Sequence, residues 1–281
     1  MWWDERAPGG RLKGLIFLLH PGPSVLVTAT FVAIAGLALG AVPNASLSVR
    51  LVLLMLPIQF AIGVTNDVAD MRADATMKPH KPLVRGLVGR RTAAVLAAVL
   101  GVAGLAVAAT INLPTLAMAA GGLGAGLVYD LGLRQTPLSW VPWWAGMSIL
   151  PLAAYASVGA LAPRLLVLLP LTLLVALALH CANGLPDIAS DRAAGRTSLP
   201  VLLGVRGSRV VAVAGLAGAG VLALTLLRPL GQSGPWVPAS AGLLALMLLV
   251  VALARLERPF PVMAVGTALF GVTWLATLPI K

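Results

Sequence analysis

The chain has 281 residues, of which 59% are hydrophobic and only 10% charged. Soluble domains carry roughly 25% charged residues, so the composition excludes an ordinary soluble domain and predicts an all-α, polytopic membrane protein. The net charge of +11 fits basic loops beside membrane spans and does not point to a nucleic-acid partner.

In chain order, the N-terminus comes first. Asp4 and Glu5 precede the first apolar run, and no cationic stretch leads into a short apolar core, so no cleaved signal peptide is expected. A membrane-crossing helix needs about 20 mainly apolar residues. Nine segments are predicted as spans: 24–42, 48–68, 92–111, 114–129, 139–160, 164–183, 209–227, 236–254 and 261–279. These runs are continuous, unlike the short alternating strands of a membrane β-barrel. The fourth holds Gly121, Gly122, Gly124 and Gly126, which predicts close packing against neighbours. The single cysteine, Cys181, excludes an intramolecular disulfide. Two longer polar connections remain, at 69–91 and 184–208. The chain reads as one membrane domain with two related halves, about 1–135 and 136–281, around a central cleft.

Nine spans place the N-terminus and the connections after spans 2, 4, 6 and 8 on one side. Of the 20 Lys and Arg residues, all but Arg50, Arg164, Arg228 and Lys281 fall there. The positive-inside rule makes that side cytoplasmic. All 9 acids fall on it too: Asp4, Glu5, Asp67, Asp70, Asp74, Asp130, Asp187, Asp191 and Glu257. That segregation marks a working face. An ion pathway would instead spread polar groups through the membrane thickness.

The acids gather in two clusters. The first, Asn66, Asp67, Asp70 and Asp74, ends span 2; the second, Asn183, Asp187 and Asp191, ends span 6. Steps of three and four residues align side chains on one helical face. Like charges at that spacing weaken a helix unless something neutralises them, and beside hydrocarbon they mark functional sites. Oxygen-only ligands favour a hard cation, and Mg2+ suits best because it also bridges to phosphate oxygens. No His or Cys pattern suggests zinc. Asn66 and Asn183 either ligate through their amide oxygens or orient the carboxylates. Basic residues follow both rows: Arg72, Lys78, Lys81 and Arg85 after the first, Arg192 and Arg196 after the second. Between them, at the end of span 4, stand Tyr129, Asp130 and Arg134. Carboxylate-bound metal with nearby cations fits a diphosphate. Arg72, Lys78, Tyr129, Arg134, Arg192 and Arg196 are the candidate diphosphate contacts.

"NDVADMRAD" followed by "KPHKPLVRG" resembles the first aspartate-rich motif of the UbiA superfamily of intramembrane prenyltransferases. "NGLPDIASDRAAGRTSLPVLLG" resembles the second motif, and residues 129–136 resemble the middle loop. The resemblance implies a magnesium-dependent enzyme acting on a polyprenyl diphosphate, with Asp67, Asp70, Asp74, Asp187 and Asp191 holding the metals. Asp67, Asp70, Asp187, Asp191 and Arg134 are then the catalytic candidates. The middle loop departs from the aromatic-acid branch: Asp130 stands where that branch has proline, and Leu133-Arg134 replaces a Lys-Arg pair.

Two reactions follow from such a site. In the first, the diphosphate ionises to an allylic carbocation and a small, aromatic acceptor captures it. In the second, a terpene cyclase, another double bond of the same chain captures it, and the altered middle loop motivates this alternative. Trp143, Trp144, Met147 and His180 are candidate pocket residues, with Trp140 beside them. The tryptophans either face the cation or anchor span 5 at the interface. His180, one turn before Asn183, is either a proton acceptor or an inert interior histidine; His20 and His80 are weaker candidates. The expected location is a bacterial inner membrane with the site facing the cytoplasm. The Ala-, Gly- and Arg-rich composition suggests that source.

Overall fold

The computed structural model describes residues 10–226, 236–253 and 258–277, all helical or in short connections. Asp4, Glu5, Arg228, Glu257 and Lys281 lie outside the described residues. The helices are α1 (Gly10–Leu18), α2 (Pro21–Leu39), α3 (Ala45–Met77), α4 (Arg90–Ala109), α5 (Leu113–Leu131), α6 (Trp140–Ser157), α7 (Leu168–Gly184), α8 (Ile188–Ala193), α9 (Leu199–Thr225), α10 (Trp236–Leu253) and α11 (Phe260–Leu275). Each of the nine predicted segments overlaps one of them. By length and hydropathy, five stretches are sufficient to cross a membrane among the described residues: Pro21–Leu39, Ala45–Thr76, Arg90–Ala109, Pro163–Ala193 and Leu199–Thr225. Val237–Met247 and Phe260–Leu275 are shorter apolar helices.

Local chemistry sets the helix ends. The Asn44 and Asn112 side-chain oxygens accept hydrogen bonds from the backbone N–H groups of Leu47 and Thr115, at 2.9 and 2.8 Å, and so cap α3 and α5. Gly40 closes α2 in the left-handed conformation, at φ 71°, where a β-carbon would be strained. Two boundaries differ from expectation. α3 runs to Met77, past the predicted span end at 68, and so carries Asp67, Asp70 and Asp74 on one continuous helix. α9 begins at Leu199 rather than 209, with Pro200 in its first turn and a non-helical Gly204 at φ 66° inside it.

Packing inverts the soluble pattern. On α4 the small residues Ala93, Ala97, Gly101, Gly104 and Ala108 are buried, while Val95, Val99 and Val102 are exposed. Lipid is as apolar as valine, so close backbone approach, not burial of bulk, joins the helices. The two halves repeat this device. A β-carbon on Gly104 of α4 would sit 2.8 Å from the Leu54 carbonyl oxygen of α3, and one on Gly215 of α9 would sit 2.8 Å from the Leu174 carbonyl oxygen of α7. α3 and α7 are the helices that lead into the two acid rows. In the glycine-rich α5, Gly126 is required, because a β-carbon there would lie 2.6 Å from the Ile62 side chain. Gly124 has open space instead.

Candidate active site

The two acid rows meet. Arg196 joins them directly: its guanidinium lies 2.9 Å from Asp191 Oδ1 and 3.4 Å from Asp70 Oδ1. Arg134, buried in the 3-10 turn just past α5, also pairs with Asp70. Lys78, just past α3, reaches Asp187 Oδ2 at 3.4 Å. A polar cluster therefore spans from α3 to α8 at one end of the bundle.

The first row sits on the unbroken α3. Asp67 and Asp74 are 2% and 5% exposed, and both accept from the same ammonium, Lys81 Nζ, at 2.6 Å each. Two steps of the helix bring these acids back to one face, while Asp70 turns toward Arg134 and Arg196. Burial opposes the charge on Lys81, but Asp67 and Asp74 outweigh it and hold its pKa above the ordinary lysine value of 10.5. Its stabilising contribution is therefore complete below that value and fades only as pH rises through the higher folded one. His20 also approaches Asp67, with Nε2 3.2 Å from Oδ1. Among the described residues it alone combines a side chain with a positive φ, 50°, a conformation that costs energy and concentrates at functional sites. Gly63 makes room for it: a β-carbon there would lie 3.1 Å from the imidazole.

The second row does not ride on one regular α-helix, unlike the first. α7 ends at Gly184; Leu185–Asp187 form a 3-10 turn, and α8 carries Asp191. Pro186 explains the break, since it has no N–H to donate and its ring obstructs the preceding turn. Asn183 is exposed on the last turn of α7. Asn66 is better placed: its Nδ2 donates to Asp130 Oδ1 at 2.8 Å, which fixes its amide orientation.

The remaining predicted residues divide. Arg192 is turned aside, donating to the Val201 carbonyl at 2.8 Å, and Arg72 and His80 are exposed. Tyr129, Trp143 and His180 form an aromatic group beside the cluster. Tyr129 stands edge-on to Trp143 and to His180, each with centroids 6.1 Å apart, and Trp143 lies 5.4 Å from His180. His180 is buried; its Nε2 meets Ser139 Oγ at 2.9 Å, Ser139 accepts from the Leu199 N–H at 3.0 Å, and Nδ1 has no partner. Trp144 is tied elsewhere, its indole N–H donating to the Leu169 carbonyl at 3.0 Å. Trp140 stacks loosely on Trp144. Three contributors escaped the sequence reading: Lys81 as the neutralising ion, Ser139, and Phe260, which stands edge-on to Trp143 at 6.0 Å. Lys81 had one legible signal, its place among the basic residues after the first row; Ser139 and Phe260 had none.

From this aromatic group an apolar cavity of about 660 Å³ runs into the bundle, lined by α2, α6, α7, α9 and α11. Met147 lines it.

The donor set suits a hard divalent cation by its chemistry. The carboxylates offer only oxygen, and side-chain cations hold each of them. As they stand, no three His, Cys, Asp or Glu side chains converge into a ready coordination shell among the described residues. Lysine and arginine occupy the spaces between them.

Comparison with known proteins bears on the fold and the family. The chain is 33% identical to digeranylgeranylglyceryl phosphate synthase of Natronomonas pharaonis over 247 residues, covering 84% of this chain and 86% of that enzyme. It is 32% identical to the enzyme of the same name from Methanoculleus marisnigri over 160 residues, covering 56% of this chain and 57% of that one, a little over half of its length. A UbiA homologue from Archaeoglobus fulgidus, bound to GPP and Mg2+, superposes with a TM-score of 0.72 at 17% identity, over 94% of this chain and 99% of that one. Residues 25–275 match the UbiA prenyltransferase family, and this chain belongs to it.

Proposed function

We propose that the protein transfers a prenyl group from a polyprenyl diphosphate to a small, aromatic acceptor within the membrane, with Mg2+ as cofactor. The observation that carries this is the meeting of both acid rows through Arg196, beside an apolar cavity. Asp70, Asp187 and Asp191, with Asp67, Asp74 and the Asn66 amide, would hold the metal. Asn183 would join them from the last turn of α7. The bound metal supplies positive charge to the diphosphate oxygens.

The chain's own residues do the rest. Arg134, Arg196 and Lys78 exchange their carboxylate partners for the diphosphate and stabilise the charge that grows on it as it departs with the bonding electrons. Tyr129 and Trp143 present aromatic faces to the allylic cation. The apolar cavity holds the tail and keeps water from the cation. The acceptor donates an electron pair to the allylic carbon and then loses a proton. Exposed Arg72 and the diverted Arg192 belong to the outer rim of this site. We further place the acidic face on the cytoplasmic side of a bacterial membrane, on the segregation of Lys and Arg, and treat the helices as one domain whose halves join near residue 135.

A second reading is an intramembrane terpene cyclase. Asp130 in the middle loop and the aromatic group of Tyr129, Trp143 and Phe260 favour it, since such faces can guide a cation along its own chain. Purified protein is incubated with Mg2+ and prenyl diphosphate, with and without candidate aromatics, and products are read by mass spectrometry. Prenylated acceptor supports transfer. A cyclic hydrocarbon or alcohol formed without acceptor supports the cyclase and overturns transfer.

A further inference from the structure

We infer that Asp130 is a further ligand of the divalent cation, supplying its carboxylate oxygen Oδ2 beside the amide oxygen of Asn66. This rests on the proposed function, because it adds a residue to the metal site proposed there. Asp130 stands on the last turn of α5 and is 2% exposed. Its two oxygens differ. Oδ1 accepts from Asn66 Nδ2 at 2.8 Å. Oδ2 is buried and has no hydrogen-bond partner among the described residues. A buried carboxylate is costly unless it is paired and hydrogen-bonded, so an oxygen left open in this position is a place held for a ligand.

The protein's own cations do not fill it. Arg134, four residues further on, pairs with Asp70. Its Nε is also buried and finds no acceptor, so Arg134 leaves Asp130 Oδ2 unsatisfied. Arg196 is committed to Asp70 and Asp191, and Lys81 to Asp67 and Asp74. Asp130 also lies within electrostatic reach of Asp70. Two carboxylates at close quarters repel, and a shared positive ion relieves that repulsion.

The donors gather for a helical reason. Asn66 and Asp70 are four residues apart on the continuous α3 and so share one face. Asp130 meets that face at Asn66. The same bond settles the amide: an ionised carboxylate only accepts, so Nδ2 points at Asp130 and the amide oxygen is turned to the other side. Asn66, Asp70 and Asp130 thus offer oxygen from two helices, the donor type that a hard divalent cation takes.

The test uses the full chain in nanodiscs of neutral lipid, with Mn2+ as the probe. Free Mn2+ gives an electron paramagnetic resonance signal that binding removes, so affinity is read without turnover. Asp130→Asn keeps an acceptor for Asn66 but loses the charge, and should weaken Mn2+ binding by about tenfold or more. Asp130→Cys puts a soft thiolate at the same place, which favours a soft metal over Mn2+. With Cd2+ it should show an ultraviolet sulfur-to-cadmium charge-transfer band that wild type, whose single cysteine is buried, lacks. This second variant keeps the inference testable if Asp130→Asn does not fold. Mn2+ binding by Asp130→Asn as tight as by wild type overturns the inference. So does weakened binding in Asp130→Asn with no band in Asp130→Cys, which would make Asp130 a charge acting from a distance. Both results leave the proposed function intact. Wild type that binds no Mn2+ overturns the proposed metal site and this inference together.

Discussion

The first acid row rides on a continuous helix and is buried; the second is split by Pro186 and lies nearer solvent. Lys81 locks Asp67 and Asp74 from 2.6 Å, with its own side chain 17% exposed. Lys78 and Asp187 meet at 3.4 Å with side chains 41% and 43% exposed. The two rows thus echo each other in sequence but differ in physics. Buried charges must be paired where they stand, or the helix that carries them is destabilised. Exposed ones can be released to a ligand at small cost. The first row is the scaffold of the site, and the second is its adjustable wall, with Arg196 as the clasp between them.

The largest effect should come from removing the lock. Lys81→Met leaves two buried carboxylates without their cation, and breaking a buried pair costs about 3–5 kcal/mol. Thermal unfolding in detergent micelles should show it as a large loss of stability. An unchanged melting temperature would show that the first row is not held as described. Next is Ser139→Ala, which strips a buried bridge between His180 and the Leu199 N–H. Leaving buried polar groups unsatisfied costs about 1–3 kcal/mol, read by the same unfolding measurement. The smallest effect is expected from Lys78→Met. That pair is largely exposed and contributes about 0–1 kcal/mol at most, so stability should barely move while affinity for the diphosphate falls. A Lys78→Met loss as large as that of Lys81→Met would erase the distinction between the rows.

Much of this site was legible in the sequence for a simple reason. Carboxylates are so costly beside hydrocarbon that Asp67, Asp70, Asp74, Asp187 and Asp191 stand out against the apolar background. Their spacing told which helices would carry them. What spacing could not tell was regularity: steps of four residues at Asn183, Asp187 and Asp191 suggest one regular α-helix, but at Pro186 the chain passes through a 3-10 turn. Nor could it rank the cations, since Lys81 looks like any loop lysine until α3 and its following turn bring it over Asp67 and Asp74. The aromatic group and the cavity were the least legible. Phe260 and Trp143 meet only in three dimensions. Trp144 shows the same lesson in reverse: a predicted pocket residue, it anchors α6 to the backbone of α7.

The most direct measurement is magnesium-dependent diphosphate release from a panel of C10 to C40 prenyl diphosphates by wild type, Asp70→Ala, Asp187→Ala and the double variant. If both rows build one site, each single change lowers the rate by roughly 10²–10³-fold. The double variant should then be little worse than the poorer single one, because residues that act as a unit are not additive. Wild-type release by either single variant, or losses that simply multiply, would contradict a shared site.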